Sequence, residues 1–371
     1  MNLNKKTVAV AISGGVDSSV AAALLKEDGF QVIGFTMHLW DFDAVGGNVF
    51  NESSCCSLNS IYDARDVCQR LDIPHYVIDV REDFEKYVIS NFISEYLNGR
   101  TPNPCVLCNS MMKWKVLLEK ANQLGAYYLA TGHYAKIIFD SITKRYLLTT
   151  GKDDSKDQSY ALWALTQNQL RHTKFPVGKY TKKEVRSFAD DLNLKTKHKP
   201  ESQEICFIPD NNYSRFLKQR FPDSIKQGEI VDTEGNILGN HYGYPNYTIG
   251  QRKKLGIAVG KPLYVIQIDP SRNRIVVGDK TDLETKGLYA KHVNWIAIDK
   301  LTNPMEVLTK IRYNDDGKPA QIIPVSEKEV KVIFKTTHQA VTPGQSVVFY
   351  RDNIVVGGGL INRALIDKPA L

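Results

Sequence analysis

Six residues near the amino terminus, Ser13-Gly14-Gly15-Val16-Asp17-Ser18, have the composition of a phosphate cradle. Adjacent glycines let the backbone take positive φ and approach a phosphate oxygen closely. A helix starting directly behind them turns its unbonded N–H groups onto the anion. Ser13 and Ser18 add hydroxyl donors, and Asp17 can bind magnesium or organise the turn. No Gly-Lys-Ser/Thr follows, so this is not a Walker A loop and γ-phosphate transfer is not implied. Nor is it GxGxxG, so a dinucleotide is not implied. A glycine turn capped by Ser and Asp is the plain structural alternative.

The second reactive set is made of thiols. Cys105 and Cys108 form a CxxC, and Cys206 follows much later in the chain. Three thiolates suffice for an iron–sulfur cluster with one open iron, whereas a zinc site normally needs a fourth ligand and no second CxxC exists. Thiolates beside basic side chains are activated for sulfur chemistry, and Lys113, Lys115, Lys197 and Lys199 lie near these cysteines in sequence. Cys206, between Ile205 and Phe207, taken alone reads more readily as a small buried hydrophobe. Cys55-Cys56 sits in an Asn/Ser-rich stretch and reads as structural or incidental, because adjacent thiols rarely bridge without strain. Cys68 reads as packing on a helix predicted over 61–71.

The elements that position these groups alternate. Strands are predicted over 7–12, 31–39, 75–80 and 127–131, and helices over 18–28, 61–71, 84–97, 113–124 and 159–170. Such alternation gives an α/β domain, a doubly wound parallel sheet that binds ligands beyond the carboxyl ends of its strands. After about residue 211, turn pairs such as Glu234-Gly235 and Pro343-Gly344 separate short alternating runs, as at 263–268, 274–277, 330–334 and 346–350. That texture predicts a small, mostly-β domain over 211–285 and a β-barrel over 286–371, behind an α/β domain over 1–210.

Bulk composition sets limits. A chain of 371 residues with 42% hydrophobic and 24% charged residues is ordinary globular protein, too long for one typical core. The first apolar run is far shorter than a signal segment, and no run approaches a membrane span, so a cytoplasmic protein is expected. Six cysteines without a signal make a poor disulfide framework. The net charge is +7, but it is uneven: residues 1–150 are slightly acidic and residues 151–371 carry the basic excess. Lys179, Lys182, Lys183, Arg186, Lys195, Lys197 and Lys199 form one dense stretch, and Arg252, Lys253, Lys254 and Lys261 another. A polyanionic partner and a solvated basic face are both compatible with that pattern.

The string SGGVDSS after a first strand resembles the PP-loop of ATP pyrophosphatases, which adenylate a substrate and release pyrophosphate. Further matches are NPCVLCN at 103–109, ATGHY at 130–134, SKDQSY at 155–160, FPVG at 175–178, ICFI at 205–208, TIGQRKKLGI at 248–257 and AVTPGQSVVFY at 340–350. In this order they cover almost the whole chain and resemble the tRNA-specific 2-thiouridylase family. The resemblance implies a Rossmann-like PP-loop domain and a reaction in which O2 of the wobble uridine is replaced by sulfur.

By the same resemblance, ATP with Mg2+ is held by Ala11, Ile12, Ser13, Gly14, Gly15, Val16, Asp17, Ser18, Met37 and Gly132. Cys108 corresponds to the nucleophile and Cys206 to the persulfide carrier, and the two become a disulfide as sulfur leaves. Asn103, Pro104 and Cys105 correspond to the cradle of the flipped target base, since chemistry on a stacked base requires extrusion. His133, Lys156, Asp157, Gln158, Arg312, Tyr313 and Gln345 correspond to tRNA contacts. Where many members have Asp after Asn-Pro, this chain has Cys105, which keeps the cluster of Cys105, Cys108 and Cys206 open as an alternative to a persulfide. The implied partners are tRNA and a sulfur carrier protein or cysteine desulfurase, with the chain acting as a monomer. The rival readings are a different adenylating PP-loop enzyme, disfavoured because no ammonia-supplying segment is visible, and a non-catalytic nucleotide- or tRNA-binding protein.

Overall fold

A computed structural model describes residues 4–40, 58–199, 205–208, 210, 212–222, 225–257 and 259–365. Cys55 and Cys56 lie outside the described residues. The chain forms two compact units: Met1–Ile89 with Pro104–Asn211 and Asn353–Val355, and Ser90–Asn103 with Asn212–Asp352 and Val356–Leu371.

The first unit is built on a parallel sheet of β1 (Asn4–Ala11), β2 (Gln31–His38), β3 (His75–Asp79), β4 (Ala126–Ala130) and β7 (Thr173–Lys174), in the order β3-β2-β1-β4-β7. The hairpin β5 (Ala135–Asp140) and β6 (Arg145–Thr150), which the sequence pattern did not reveal, lies between β4 and β7 in the chain. β1 is central, and Val8, Ala9 and Val10 are completely buried, as a strand covered on both faces requires. Helix α1 (Val16–Glu27) packs its Val16, Val20, Ala21 and Leu24 with Val177 and Val185. Helix α2 (Leu58–Arg70) brings Ala64 and Cys68 onto β1 and β2 residues Val8, Val10 and Val32. Burial pushes the Cys68 thiol up to about 12, so this cysteine is an inert part of the core.

Three predicted helices differ in detail, and the one expected over 84–97 is Arg81–Phe84, a π-helical stretch Glu85–Ile89 and Ser90–Leu97. The one expected over 113–124 begins earlier, as Pro104–Leu107 followed by a wide π-helical stretch, Cys108–Leu117, and a last α turn, Leu118–Gln123. The one expected over 159–170 is two pieces, Ser159–Leu162 and Gln167–Arg171. Thr166 divides them. Its hydroxyl accepts from Gln169 N–H while the Gln169 side chain accepts from Thr166 N–H, a capping box that starts a new helix.

The second unit holds a mixed sheet of β8 (Gly228–Val231), β9 (Ile237–His241), β10 (Tyr264–Asp269) and β11 (Arg274–Gly278), in the order β10-β11-β8-β9. It also holds six strands, β12 (Glu284–Trp295), β13 (Met305–Lys310), β14 (Lys318–Ser326), β15 (Glu329–Gln339), β16 (Ser346–Arg351) and β17 (Ile354–Ala364). They run β12-β15-β14-β13-β16-β17, and pairing of β12 with β17 closes a barrel. Its core includes Leu288, Val307, Ile322, Val332, Phe349 and Ile361. The helix Ser90–Leu97 belongs to this unit because its aromatics are anchored there: Tyr96 stacks on Tyr213 at 5.0 Å and Phe92 meets Phe216 edge-on at 6.1 Å.

One polar knot closes the β13–β14 turn. Asp315 accepts from Ile311 and Gly317 N–H and faces His338 Nε2 at 3.1 Å. Burial works to raise this carboxyl, but the His338 bond and the two backbone N–H groups bring it down to about 2. A depressed carboxyl stabilises the fold above its unfolded pKa and loses that contribution as pH falls through the folded value. Asp315→Asn should therefore lower the unfolding free energy near neutrality by about 2 kcal/mol. Chemical denaturation followed by fluorescence checks this, and the gap from wild type should shrink as pH falls from about 4 toward about 2.

Candidate active site

The loop between β1 and α1 has the predicted form. Ile12 N–H donates to Phe35 O at 2.7 Å, which holds the exit of β1 on β2. Gly14 then takes φ +66°, and a Cβ there would lie 2.4 Å from the carbonyl oxygen of Ser60, so only glycine passes. Gly15 is the N-cap of α1 and supplies no side-chain cap, leaving the first helical N–H groups open toward an anion. The hydroxyls are organised by the loop itself. Ser18 donates to Gly15 O at 3.1 Å and accepts from Ser13 N–H at 3.2 Å, while Ser19 donates to Gly15 O at 2.8 Å.

Asp17 is the electrostatic centre. Its carboxylate accepts from Lys182 Nζ at 2.7 and 2.8 Å and from the Tyr134 hydroxyl at 2.7 Å. Lys182 is 8% exposed, so its charge depends on Asp17. Lys182 opens the helix Lys182–Asp191, whose start is fixed by a Thr181–Glu184 capping box. Three more lysines of the basic stretch also find acids within this unit. Lys199 meets Asp63 at 2.8 Å, Lys195 meets Asp66 at 2.6 Å and Lys197 meets Asp190 at 3.0 Å. Lys182, Lys195, Lys197 and Lys199 thus spend their charge on internal ion pairs. Tyr134, Lys182 and the Lys199–Asp63 pair were missed as site residues; the Thr-Lys-Lys-Glu capping box was the one sequence signal that could have placed Lys182 at a helix start.

β4 delivers the other wall, because β1 and β4 are neighbours with parallel carboxyl ends. A Cβ on Gly132 would lie 2.6 Å from both Asp17 C and Ser18 N, so Gly132 lets the β4 exit touch the phosphate loop. His133 turns away from it, between the Trp114 and Phe175 rings at 5.7 and 5.8 Å. Its Nδ1 pairs with the Thr131 hydroxyl at 2.6 Å and its Nε2 faces Lys113 Nζ at 3.4 Å. Burial first, and the Lys113 charge second, hold its pKa well below the usual histidine value. Met37 lies at the end of β2, half-buried and in register with Ile78. Ala11 ends β1 and Ile12 follows it, and the Thr36 hydroxyl donates to Ile12 O at 2.8 Å.

The thiols occupy different settings. Cys105 is exposed on the first turn of Pro104–Leu107, and Cys108, half-buried, opens the π-helical stretch. Asn109 fastens that stretch: its side chain donates to Ala161 O at 3.0 Å and accepts from Lys113 at 2.9 Å. Cys206 is half-buried and directly precedes two anchors, Phe207 and Ile208, each 1% exposed. Phe207 meets Phe84 edge-on at 5.6 Å. Cys68, Cys105, Cys108 and Cys206 all stand as thiols. The iron–sulfur alternative is not supported: among the described residues no three His, Cys, Asp or Glu side chains gather as a metal-holding group. Cys105, Cys108 and Cys206, all among those residues, are thus not gathered as the three-thiolate set that a cluster needs.

Of the other predicted contacts, Asp157 and Gln158 carry structural bonds. Asp157 accepts from Gly151 N–H, Ser159 N–H and the Ser159 hydroxyl, and Gln158 accepts from Tyr134 N–H at 3.0 Å. Lys156 ends the short helix Asp154–Lys156 beside them. In the second unit the Arg312 guanidinium donates to the Gln339 and Ala340 carbonyls, and Tyr313 is 47% exposed. Gln345 Nε2 donates to Thr101 O and Pro102 O at 3.1 and 2.8 Å. Asn103 is half-buried and Pro104 buried. No helix among the described residues is long and apolar enough to cross a membrane.

Comparison with known proteins matches three family models end to end. They are a tRNA methyl transferase HUP domain over 6–210, a tRNA methyl transferase PRC-barrel domain over 214–279 and an aminomethyltransferase β-barrel domain over 285–361. The chain is 52% identical to the tRNA-specific 2-thiouridylase MnmA of Halothermothrix orenii, over 95% of this chain and 98% of that one. It is 51% identical to the protein of that name from Acetivibrio thermocellus, over 97% of this chain and 100% of that one. Identity to the Clostridioides difficile protein of that name is 52%, over 98% and 100%.

Two outcomes follow from this geometry. Gly132→Ala should weaken ATP binding at least about tenfold by pushing the β4 exit into the loop, as read by calorimetric titration of the folded variant. The His133 ring should stay neutral between about pH 8 and about pH 6, where an ordinary histidine titrates, as read from its NMR shifts.

Proposed function

The chain belongs to the tRNA-specific 2-thiouridylase family, and from that premise we propose that it adenylates O2 of the wobble uridine in tRNA and replaces that oxygen with sulfur. The products are 2-thiouridine, AMP and pyrophosphate. The observation that carries this reading is the phosphate cradle built where β1 and β4 end, in the same unit as the thiols Cys108 and Cys206.

ATP sits on the loop, with Ala11, Ile12, Ser13, Gly14, Gly15, Val16, Ser18, Met37 and Gly132 lining its site. Open N–H groups at the start of α1 stabilise the leaving pyrophosphate. Asp17 has both oxygens engaged, by Lys182 and by the Tyr134 hydroxyl, so its part is to organise the loop, and Mg2+ would arrive with the triphosphate, whose charge it would neutralise. Uridine O2 attacks the α-phosphorus, the P–O bond to pyrophosphate breaks, and the N3 proton is lost. The terminal sulfur of a Cys206 persulfide then attacks C2, and AMP departs. Finally the Cys108 thiolate attacks the Cys206 sulfur, the S–S bond to the base breaks, and 2-thiouridine regains its N3 proton. The two cysteines are left as a disulfide, which an external thiol reduces.

Asn103, Pro104 and Cys105 hold the extruded base. His133, Lys156, Asp157, Gln158, Arg312 and Tyr313 form the tRNA-facing set, Tyr313 through its exposed ring and Asp157 and Gln158 by shaping their loop. Catalysis belongs to residues 1–210, with 211–285 linking and 286–371 contacting tRNA. A sulfur carrier protein or a cysteine desulfurase supplies the persulfide to a cytoplasmic monomer.

Cys206→Ser and Cys108→Ser should each cut 2-thiouridine formation by at least about 1000-fold. Both should retain tRNA-dependent pyrophosphate release, because adenylation precedes the sulfur steps. Mass spectrometry of the wobble nucleoside alongside a pyrophosphate assay measures this; wild-type protein that forms no 2-thiouridine from ATP, tRNA and a persulfide source overturns the proposal.

A further inference from the structure

We propose that a basic cleft in the second unit, lined by Arg252, Lys254 and Lys261, holds the phosphate backbone of tRNA, which gives residues 211–285 a part beyond linking. The inference rests on the reading of tRNA as the substrate.

The cleft is built by the stretch between the short helix Tyr244–Asn246 and β10. Backbone bonds fasten its two ends: Gly250 N–H donates to Val265 O at 2.8 Å and Val265 N–H donates to Gln251 O at 2.9 Å. Leu255 and Leu263 are buried in the core around Ile230, Tyr247 and Ile275. Ile257 packs on the same core, so close to β9 that a Cβ on Gly239 would lie 2.9 Å from its Cγ2. With these apolar side chains inward, the polar residues between them stay at the surface around a cleft of about 430 Å³.

The charge around the cleft has one sign, since among the described residues no Asp or Glu lines it. Arg252 and Lys254 are exposed and, among the described residues, meet no carboxylate. Lys261 has an exposed pair with Asp279 at 3.0 Å, of the kind that contributes little in water. Lys182, Lys195, Lys197 and Lys199 differ, because acids of the first unit already engage them. Backbone donors add to the cations. Among the described residues from Arg252 to Gly260, no backbone N–H donates to a protein acceptor. Gly256 and Gly260 take φ of +75° and +72°, and a Cβ on either would meet nothing within 4 Å, so the backbone itself is open to a ligand. Guanidinium, ammonium and peptide N–H groups all donate, and phosphate oxygens only accept. An RNA backbone offers one such anion per nucleotide, so it meets an open cleft in any register, whereas the carboxylates of an acidic protein would need matched positions.

Arg252→Ala combined with Lys254→Ala tests this, in titrations of tRNA at several salt concentrations. The expected result is a tRNA Kd raised about tenfold at about 0.15 M salt, and a slope of log K against log salt reduced by about 1 to 2. Either substitution alone should give about half of that change in slope, and the single variants carry the test if the pair does not fold. Lys120→Ala removes one exposed charge from a helix of the first unit and should leave the slope as it is in wild type. An equal fall there would make the effect one of net charge and overturn the proposal. Unchanged Kd and slope in the cleft variants also overturn it; if those variants then lose thiolation only with a protein sulfur donor, the cleft is a protein-docking surface instead. Wild-type protein that does not bind tRNA removes the underlying reading, whereas wild-type binding with unchanged cleft variants removes the cleft alone.

Discussion

The first unit depends on a single close approach, the exit of β4 lying against the loop after β1 with no side chain between them. Gly14 and Gly132 make that approach sterically possible, and the Asp17–Lys182 pair holds it electrostatically. Asp17 sits on the first turn of α1, Lys182 on the first turn of a helix far along the chain, and Tyr134 just after β4. One carboxylate thereby fixes three elements around the place where an anion would sit. The ammonium is well buried, so removing its partner would leave an uncompensated charge, a loss larger than any exposed pair on this surface provides. The exposed pair Lys195–Asp66, with both side chains largely in solvent, illustrates the weaker kind.

The same physics sorts the cysteines. Cys68 is sealed in apolar surroundings that disfavour the thiolate, and it serves packing. Cys206 stays at the surface because its neighbours are buried: Phe207 and Ile208 insert into the core and leave the thiol on the turn between them and solvent. Cys108 begins a π-helical stretch, a geometry often found at functional sites. Asn109 and Lys113 behind it tie that stretch to the strand-end histidine and to the helix Ser159–Leu162. Reactivity here is a matter of which thiols the hydrophobic anchors leave accessible.

Much of this was legible without coordinates where short-range chemistry is decisive. The adjacent glycines, the helix behind them and the strand–helix alternation specify an α/β sheet with a phosphate loop, because each depends on residues close in sequence. Two features were less legible. The 159–170 helix was read as continuous because its apolar spacing is helical, yet the Thr166–Gln169 capping box restarts it. The basic stretch left a polyanion-binding face and a solvated face both open, because sequence counting cannot see that Lys182, Lys195 and Lys199 meet Asp17, Asp66 and Asp63 from the acidic half of the chain.

The sequence by itself therefore determined the kind of chemistry: a loop with the composition of a phosphate cradle, thiols at three positions, and a β-rich second half. Local backbone sterics and side-chain reactivity need no long-range information. Only the tertiary structure decided which groups serve that chemistry and which hold it in place. Asp17 finds Lys182 across 165 residues, and Gln345 reaches Thr101 across 244, because hydrogen bonds are chosen by proximity in space after the cores have formed. Those long-range choices make Gln345 a backbone donor, His133 a partner of Thr131 and Lys113 and Cys68 a core residue, distinctions that residue type alone does not contain.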